Sequence, residues 1–256
     1  MSDTGRYLYA IGRGMDDTDL SSVPAIDDGR LELVRHRGLD AVVSTVSLDE
    51  FGEEGLKQNL ENLDWLENVA RRHDDVVHAV ASTGAVAPLR LATICLDDDG
   101  VRARLDEWYF ALEQVLDRVQ GRMEWSVKAF SAPVAERGPD LSSLSDGGGV
   151  GAAYLQRRRL ATEERQHAES AAVACAEEVY EQLATASVAS RRLRPQDPRL
   201  SGHEGTMILN AAFLVDVDET AGFQAMVQRL QSLYAGMEVV ATGPWPPYSF
   251  AMLEQR

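Results

Sequence analysis

The chain has 256 residues, of which 45% are hydrophobic, and its formal net charge is −16 at pH 7. This length is enough for one or two compact domains with their own cores. The strong negative charge repels nucleic acids and anionic membrane surfaces, which argues against a protein that binds either of them. No stretch approaches the roughly 18 apolar residues of a membrane helix, and the N-terminus lacks the features of a signal peptide. We therefore expect a cytoplasmic protein.

The first 80 residues show strand patterns followed by a helix pattern. Three short apolar runs predict strands, with a turn at Arg37-Gly38 between the second and the third. These runs are RYLYAIG, LELVRH and LDAVVSTV. From Leu56 the apolar residues recur at helical spacing, which predicts a helix that is broken near residue 73. The apolar face of this helix would contain Leu60, Leu63, Leu66 and Ala70.

Residues 84–131 continue the alternation of strand patterns and helix patterns. GAVAPLRLATIC predicts a strand, the apolar residues from Val101 to Val119 predict a helix, and MEWSVKAF has the period-two alternation of a half-buried strand. Strands that alternate with helices in this way predict a ferredoxin-like α/β sandwich. After residue 131 the periodicity stops in a segment rich in Pro, Gly, Ser and Asp. We therefore place an N-terminal domain at 1–131 and a linker at 132–150.

The remaining residues, 151–256, predict a second domain. A long helix is expected from about Ala152 to Ser190, before the helix-ending Pro195. It carries a stripe of small and apolar residues suited to close packing, namely Ala168, Ala172, Cys175, Val179, Leu183 and Ala186. TMILNAAFLVDV, a helix around Val227, and MEVVATG then predict a small βαβ unit. The fold class is therefore α+β, with two α/β domains.

The densest cluster of ionisable residues is His73, Asp74, Asp75 and His78. Two histidines on one helix share a metal ion when they are four residues apart, whereas these are five apart and point about 140° away from each other. A solvated polar turn is therefore favoured over a metal site.

Arg90 lies inside an apolar strand pattern, where an unpaired cation is costly to bury. A structural ion pair, with Glu124 as the candidate partner, is the favoured interpretation. The alternative is that Arg90 contacts an anion or a partner protein.

The closing segment GPWPPYSF (243–250) contains three prolines and three aromatic residues. The prolines exclude a central strand and favour an extended, polyproline-like path over the surface. Trp245, Tyr248 and Phe250 would project from this rigid backbone. They would either clamp the segment onto its own domain or bind a partner.

Seven segments in the same order resemble the gas vesicle protein F/L family. They are YLYAI, NLDWLENVARRHDDVV, PLRLAT, EWSVK, GAAYLQRR, LNAAFLV and GPWPPYSF. Tyr154, in the GAAYLQRR motif, is a further candidate for partner binding or for a structural clamp. One departure is visible, because family members usually carry an aromatic residue and then a glycine where this chain has Leu91 and Ala92.

The resemblance implies an accessory or minor structural protein of gas vesicles, the hollow protein-walled compartments that give cells buoyancy. It implies contact with the small hydrophobic wall protein and with other gas vesicle accessory proteins, a role in assembly, and a gas vesicle associated location. It supplies no catalytic residue, no metal and no cofactor, so no enzymatic activity is expected.

Two other functions are compatible with the residues. A metabolite-sensing α/β module would require an apolar-lined pocket with convergent polar groups. A metal-dependent enzyme would use His73, Asp75 and His78, and these side chains would have to share a cavity.

Overall fold

The computed structural model describes residues 3–16, 20, 23–131, 150–196, 203, 205–234 and 236–251, with the backbone alone for residues 28, 150–155 and 157. The chain forms two compact units. Unit 1 comprises Met1–Glu124 and Gly243–Arg256, and unit 2 comprises Trp125–Thr242. The boundaries predicted from the sequence differ at two places, since they put residues 125–131 in the first domain and the closing segment in the second.

The sheet of unit 1 contains four strands in the order β2-β3-β1-β4. They are β1 (Thr4–Gly12), β2 (Glu32–His36), β3 (Leu39–Ser47) and β4 (Val86–Cys95). Strands β2 and β3 form a hairpin whose two turn residues, Arg37 and Gly38, have φ of 51° and 82°. Positive φ at both positions is typical of the type I′ turn, whose twist matches that of the strands. The predicted strands and turn are therefore confirmed.

The helices of unit 1 are α1 (Leu48–Phe51), α2 (Glu53–Asn59), α3 (Leu63–Ala81) and α4 (Asp98–Val119). The predicted break near residue 73 is wrong, because α3 is continuous there. The interruption lies before α3, where the Asn62 side chain accepts hydrogen bonds from the backbone of Asp64 and Trp65 and caps the new helix.

The buried face of α3 differs from the predicted one. Its buried residues are Val69, His73, Val76, Val77 and Val80. Leu63 is 77% exposed, and Leu60, just before the helix, is 48% exposed. The polar run at residues 73–75 is compatible with a continuous helix because His73 faces the core while Asp75 is exposed.

Unit 2 is built around a second four-stranded sheet in the order β6-β7-β5-β8. Its strands are β5 (Arg122–Ser131), β6 (Ala189–Arg192), β7 (Met207–Asp216) and β8 (Met237–Trp245), and its helices are α5 (Val150–Thr185) and α6 (Thr220–Leu233). The order β-α-β-β-α-β is that of a ferredoxin-like sandwich. The first sheet has the equivalent strand order, although a segment containing the 3-10 helix Ile26–Asp28 connects β1 to β2. The predicted α+β class is confirmed.

Two details of unit 2 correct the sequence analysis. The strand β5 lies between β7 and β8 in the second sheet, not in the sheet of the first domain. The long helix ends at Thr185 rather than near Ser190, because residues 189–192 form β6 and pair with Leu214 to Ala211 of β7. The predicted linker at 132–150 lies outside the described residues except for the backbone of Val150.

At 1.5 Å per residue, the 36 residues of α5 form a helix about 54 Å long. Its C-terminal part packs on the core of unit 2 through Ala176, Val179 and Leu183. Every described side chain between Gln156 and Ala171 is exposed, and we call this stretch the exposed half of α5. None of the described helices combines the length and apolar content needed to cross a lipid bilayer.

Candidate functional site

Strand β4 contains a large bulge opposite the middle of β1. Leu8 of β1 pairs with Thr93, whereas Ala10 pairs with Pro88, so residues 89–92 all lie opposite Tyr9. Such extra residues leave the ladder and bend the strand, and bulges are frequent beside binding sites. The bulge brings Arg90 to the surface of a strand that is otherwise largely buried.

A hydrogen-bonded chain links the bulge to helix α3. The backbone N–H of Ala92 donates to the Tyr7 hydroxyl (3.0 Å), and this hydroxyl lies 3.0 Å from Nδ1 of His73. The amide donates to the hydroxyl oxygen, which keeps a second lone pair and its own proton, so the bond to Nδ1 forms with either tautomer of His73. Nε2 of His73 is buried, and no described residue lies within hydrogen-bond distance of it.

Burial controls the ionisation of both side chains. Tyr7 is fully buried and His73 is 4% exposed. Burial raises the pKa of Tyr7, so its hydroxyl stays protonated. Burial also lowers the pKa of His73 to about 4, although the nearby Leu89 backbone and the Asp74 carboxylate act in the opposite direction. His73 is therefore neutral at neutral pH.

We expect acid to destabilise unit 1 through His73. Its pKa is near 6.5 in the unfolded chain and about 4 in the folded protein, so between these values only the unfolded chain binds the proton. The free energy of unfolding should fall by about 2 kcal/mol from this residue between pH 7 and pH 5. NMR titration of the His73 ring isolates its contribution, and a ring that titrates near its ordinary pKa would contradict the prediction.

A cavity of about 360 Å³ lies beside the bulge. Apolar side chains form most of its wall, including Ala70 of α3, Pro88, Leu89 and Leu91 of β4, and Trp108 of α4. Polar side chains also line it, namely His73, Asp74, Arg90, Thr93 and Tyr248. Its volume and its mixture of apolar wall and few polar groups are typical of small-molecule pockets.

The closing segment is not the predicted polyproline-like path. Strand β8 extends to Trp245 at the edge of the second sheet, where proline is tolerated. The chain then turns: the Pro246 carbonyl accepts from the Tyr248 amide, and the Pro247 carbonyl accepts from the amides of Phe250 and Ala251. Pro246 and Pro247 are buried. The prolines lack donors, but their carbonyls support this turn, which the sequence pattern did not reveal.

The turn is held by polar contacts within unit 1. Glu124, only 7% exposed, accepts hydrogen bonds from the Ser249 backbone (2.7 Å) and from the Ser249 hydroxyl (2.6 Å). The Tyr248 hydroxyl donates to Oδ1 of Asp74 at 3.1 Å. Burial, together with the negative charge of Asp74, raises the pKa of Tyr248.

The aromatic candidates of the segment lie in different environments. Phe250 is 8% exposed, Tyr248 is partly buried at the cavity, and Trp245 is 41% exposed with its ring centroid 5.5 Å from that of His78. The side chain of the fourth aromatic candidate, Tyr154, lies outside the described residues.

The expected ion pair between Arg90 and Glu124 is wrong. Arg90 is exposed, and among the described residues its guanidinium has no ion pair or hydrogen bond. The Glu124 carboxylate instead binds Ser249, which is 125 residues away along the chain.

The histidines of the polar cluster have separate partners. His73 Nδ1 bonds to Tyr7, whereas His78 Nδ1 lies 2.9 Å from the backbone oxygen of Asp74. Asp75 is exposed. In the part of the chain that the structure describes, no group of three or more His, Cys, Asp or Glu side chains is arranged to hold a metal ion.

The sequence analysis missed Tyr7 and Trp108 as site residues and gave Glu124 the wrong partner. One usable signal existed, since Tyr7 and Tyr9 are two residues apart on a strand and therefore share a face. Their ring centroids are 4.8 Å apart. The role of Glu124 depends on a contact with a distant segment, which no local pattern reports.

The bulge places Ala92 in a strained backbone conformation. Ala92 has φ of 59°, a left-handed conformation that costs a non-glycine residue roughly 1–2 kcal/mol. Ala92→Gly should raise the free energy of unfolding by roughly 0.5–1 kcal/mol, because the relief exceeds the extra entropy of glycine in the unfolded chain. Urea unfolding measures this change. Ala10→Gly, in the same sheet at negative φ, should instead be destabilising; a loss in both variants would contradict the account.

Comparison with known proteins agrees with the resemblance seen in the sequence. A family model described as "Gas vesicle synthesis protein GvpL/GvpF" matches residues 5–252. Gas vesicle protein L of Streptomyces sp. (strain CB03234) is 37% identical over 251 residues, which cover 98% of this chain and 94% of the relative.

Two crystal structures share the fold. That of gas vesicle protein GvpF from Anabaena sp. PCC7120 has a TM-score of 0.69 at 19% identity and covers 98% of each chain. That of GvpF from Microcystis aeruginosa has a TM-score of 0.67 at 18% identity and covers 97% of this chain and 99% of the other. With the match of the family model along nearly its whole length, this chain belongs to the GvpL/GvpF family of gas vesicle synthesis proteins.

Proposed function

We propose that this protein is a non-enzymatic accessory component of gas vesicle assembly that contacts the hydrophobic wall protein through the exposed half of α5. It would act in association with gas vesicles and with other accessory proteins, without a cofactor. Membership of the gas vesicle family supports the process, and the surface of α5 supports the mode of action.

The exposed half of α5 is the observation that carries this proposal. An isolated helix in water is marginally stable, and most helices in proteins are stabilised by packing of one face. Here the small-residue stripe packs on the core from Cys175 onward, while its continuation at Ala168 and Ala161 is exposed. Small side chains allow a partner to approach the helix closely, and Leu160 (51% exposed) adds apolar area beside them.

The charge of the chain is compatible with this role. A wall protein with a large apolar face tends to aggregate unless its exposed patches are covered. A partner with a net charge of −16 stays dispersed through self-repulsion while it offers a limited apolar surface. Such a protein could hold wall subunits until they join the growing shell.

The test is co-expression of the tagged full chain with a gas vesicle wall protein, followed by affinity purification and quantification of the retained wall protein. We expect the intact chain to retain it. Ala168→Glu should reduce retention by about tenfold, because an unpaired polar group in an apolar contact costs about 1–3 kcal/mol. Absence of binding by the intact chain would refute direct contact.

A matched control variant lies two residues away. Gln166→Glu also adds one negative charge at an exposed position, but about 200° around the helix from Ala168. It should retain the wall protein normally. Equal losses in the two variants, or no loss in Ala168→Glu, would refute the assignment of the contact to this face of α5.

A further inference from the structure

We propose that the cavity beside the β4 bulge binds a free α-amino acid with a large apolar side chain, whose carboxylate faces Arg90 and whose ammonium group faces Asp74. This site goes beyond the proposed function and does not depend on it, because every residue that lines the cavity belongs to unit 1 whereas α5 belongs to unit 2.

Two opposite charges line the cavity without neutralising each other. Arg90 and Asp74 both belong to its wall. Within the described part of the chain, the Arg90 guanidinium forms no ion pair and no hydrogen bond, so it is not paired with Asp74. A purely anionic ligand would be repelled by Asp74, and a purely cationic one would be repelled by Arg90. A zwitterion is attracted by both side chains.

The Asp74 carboxylate can accept further hydrogen bonds. Its Oδ1 accepts one from the Tyr248 hydroxyl at 3.1 Å, and its Oδ2 lies 3.3 Å from Nδ1 of His78. An ionised carboxylate has about four acceptor sites, so these two neighbours leave capacity for the N–H groups of an ammonium ion.

The backbone that carries Arg90 is fixed by hydrogen bonds within the bulge. The Thr93 hydroxyl donates to the Arg90 carbonyl at 2.7 Å, and the Ala92 amide donates to the Tyr7 hydroxyl at 3.0 Å. Only the Arg90 side chain therefore has to become ordered when a ligand binds. A guanidinium matches a carboxylate through two parallel N–H···O bonds, which fits the α-carboxylate of an amino acid.

The size and the wall of the cavity select the rest of the ligand. Its volume of about 360 Å³ lies near the lower end of the roughly 300–1,000 Å³ that ligand pockets span, which suits a ligand as small as an amino acid. Apolar surface surrounds the two charges, contributed by Pro88, Leu89, Leu91, Trp108 and Ala251. An apolar side chain gains by burial against this surface, whereas glycine has none to bury.

The experiment is a two-dimensional NMR titration of the full chain with L-phenylalanine, L-leucine and glycine, and with two blocked forms, N-acetyl-L-phenylalanine and L-phenylalaninamide. We expect phenylalanine or leucine to bind with a millimolar or tighter Kd, glycine to bind at least tenfold more weakly, and each blocked form to bind about tenfold more weakly than phenylalanine. Phenylalaninamide also mimics the N-terminus of a peptide, so equal binding of this form would contradict a site for free amino acids.

Variants assign each charge. Arg90→Gln should weaken binding of phenylalanine about tenfold but leave phenylalaninamide unchanged, because the amide lacks the carboxylate that Arg90 faces. Asp74→Asn should weaken phenylalanine about tenfold but leave N-acetylphenylalanine unchanged. Asp75→Asn is the matched control, since Asp75 is exposed and does not line the cavity, and it should bind phenylalanine normally.

Three results would each overturn the proposal. They are no binding of phenylalanine and leucine, equal binding of phenylalanine and either blocked form, and unchanged binding of phenylalanine in Arg90→Gln. The first two use the unaltered chain, so they hold even where a variant folds poorly.

Discussion

Replacing Phe250 with alanine is expected to lower the free energy of unfolding of unit 1 by about 3–5 kcal/mol. Phe250 is 8% exposed, and its neighbours Pro246, Pro247 and Ala251 are buried too, so the ring fills space that the rest of the unit cannot easily close. Its removal loses apolar burial and leaves a cavity. Urea unfolding followed by circular dichroism measures the change.

Trp245→Ala provides the matched control in the same segment. Trp245 is 41% exposed, so its truncation should cost no more than about 1 kcal/mol. A large loss in Phe250→Ala with a small loss in Trp245→Ala would identify Phe250 as the clamp and leave Trp245 available to a partner. Similar losses in both variants would contradict the assignment of the clamp to Phe250.

Elements with a strong local pattern were predictable. The hairpin of β2 and β3 follows from two apolar runs around Arg37-Gly38, because that turn fixes the register of its strands. Helix α6 follows from apolar residues at helical spacing, and Phe223, Val227 and Leu230 are indeed its buried residues. In each case the residues that specify the element are neighbours in sequence.

Features that depend on distant contacts were not predictable. Strand β5 alternates as a half-buried strand should, but alternation does not say which sheet it joins. Strand β6 has four residues, two of them arginine, and gives no apolar signal of its own. Its pairing with β7 decides its conformation. The turn at the closing segment likewise depends on the contact between Glu124 and Ser249. The prolines and aromatic residues of the segment do not predict this contact.

The candidate site also combines features that the sequence predicts with features that it does not. Arg90 was recognisable from sequence as a cation in an apolar strand. That it has no ion-pair partner among the described residues became visible only in the structure. The bulge that exposes Arg90 was indicated only by the glycine that the family resemblance led us to expect at position 92. The structure gives Ala92 a positive φ, which glycine adopts more readily than alanine. From sequence, His73 was a possible metal ligand. In the structure it is buried and its Nδ1 is hydrogen-bonded to Tyr7, so it links helix α3 to strand β1.

Tyr7→Phe should lower the free energy of unfolding by about 2–4 kcal/mol, although it removes a single oxygen atom. The Tyr7 hydroxyl accepts from the Ala92 amide and is hydrogen-bonded to Nδ1 of His73, so its loss leaves two groups unpaired, each costing about 1–3 kcal/mol. Urea unfolding gives the total loss, and faster hydrogen exchange at the Ala92 amide would locate it at the bulge.

Tyr109→Phe is the corresponding control in unit 1. Its ring packs against the Arg37 guanidinium at 4.0 Å, and among the described residues its hydroxyl has no hydrogen bond. Loss of that hydroxyl should change stability by no more than about 0.5 kcal/mol. If both variants were equally stable, the Tyr7 hydroxyl would not be the link between the bulge and α3. A loss confined to Tyr7→Phe would mean that the geometry of the cavity wall depends on this one hydroxyl.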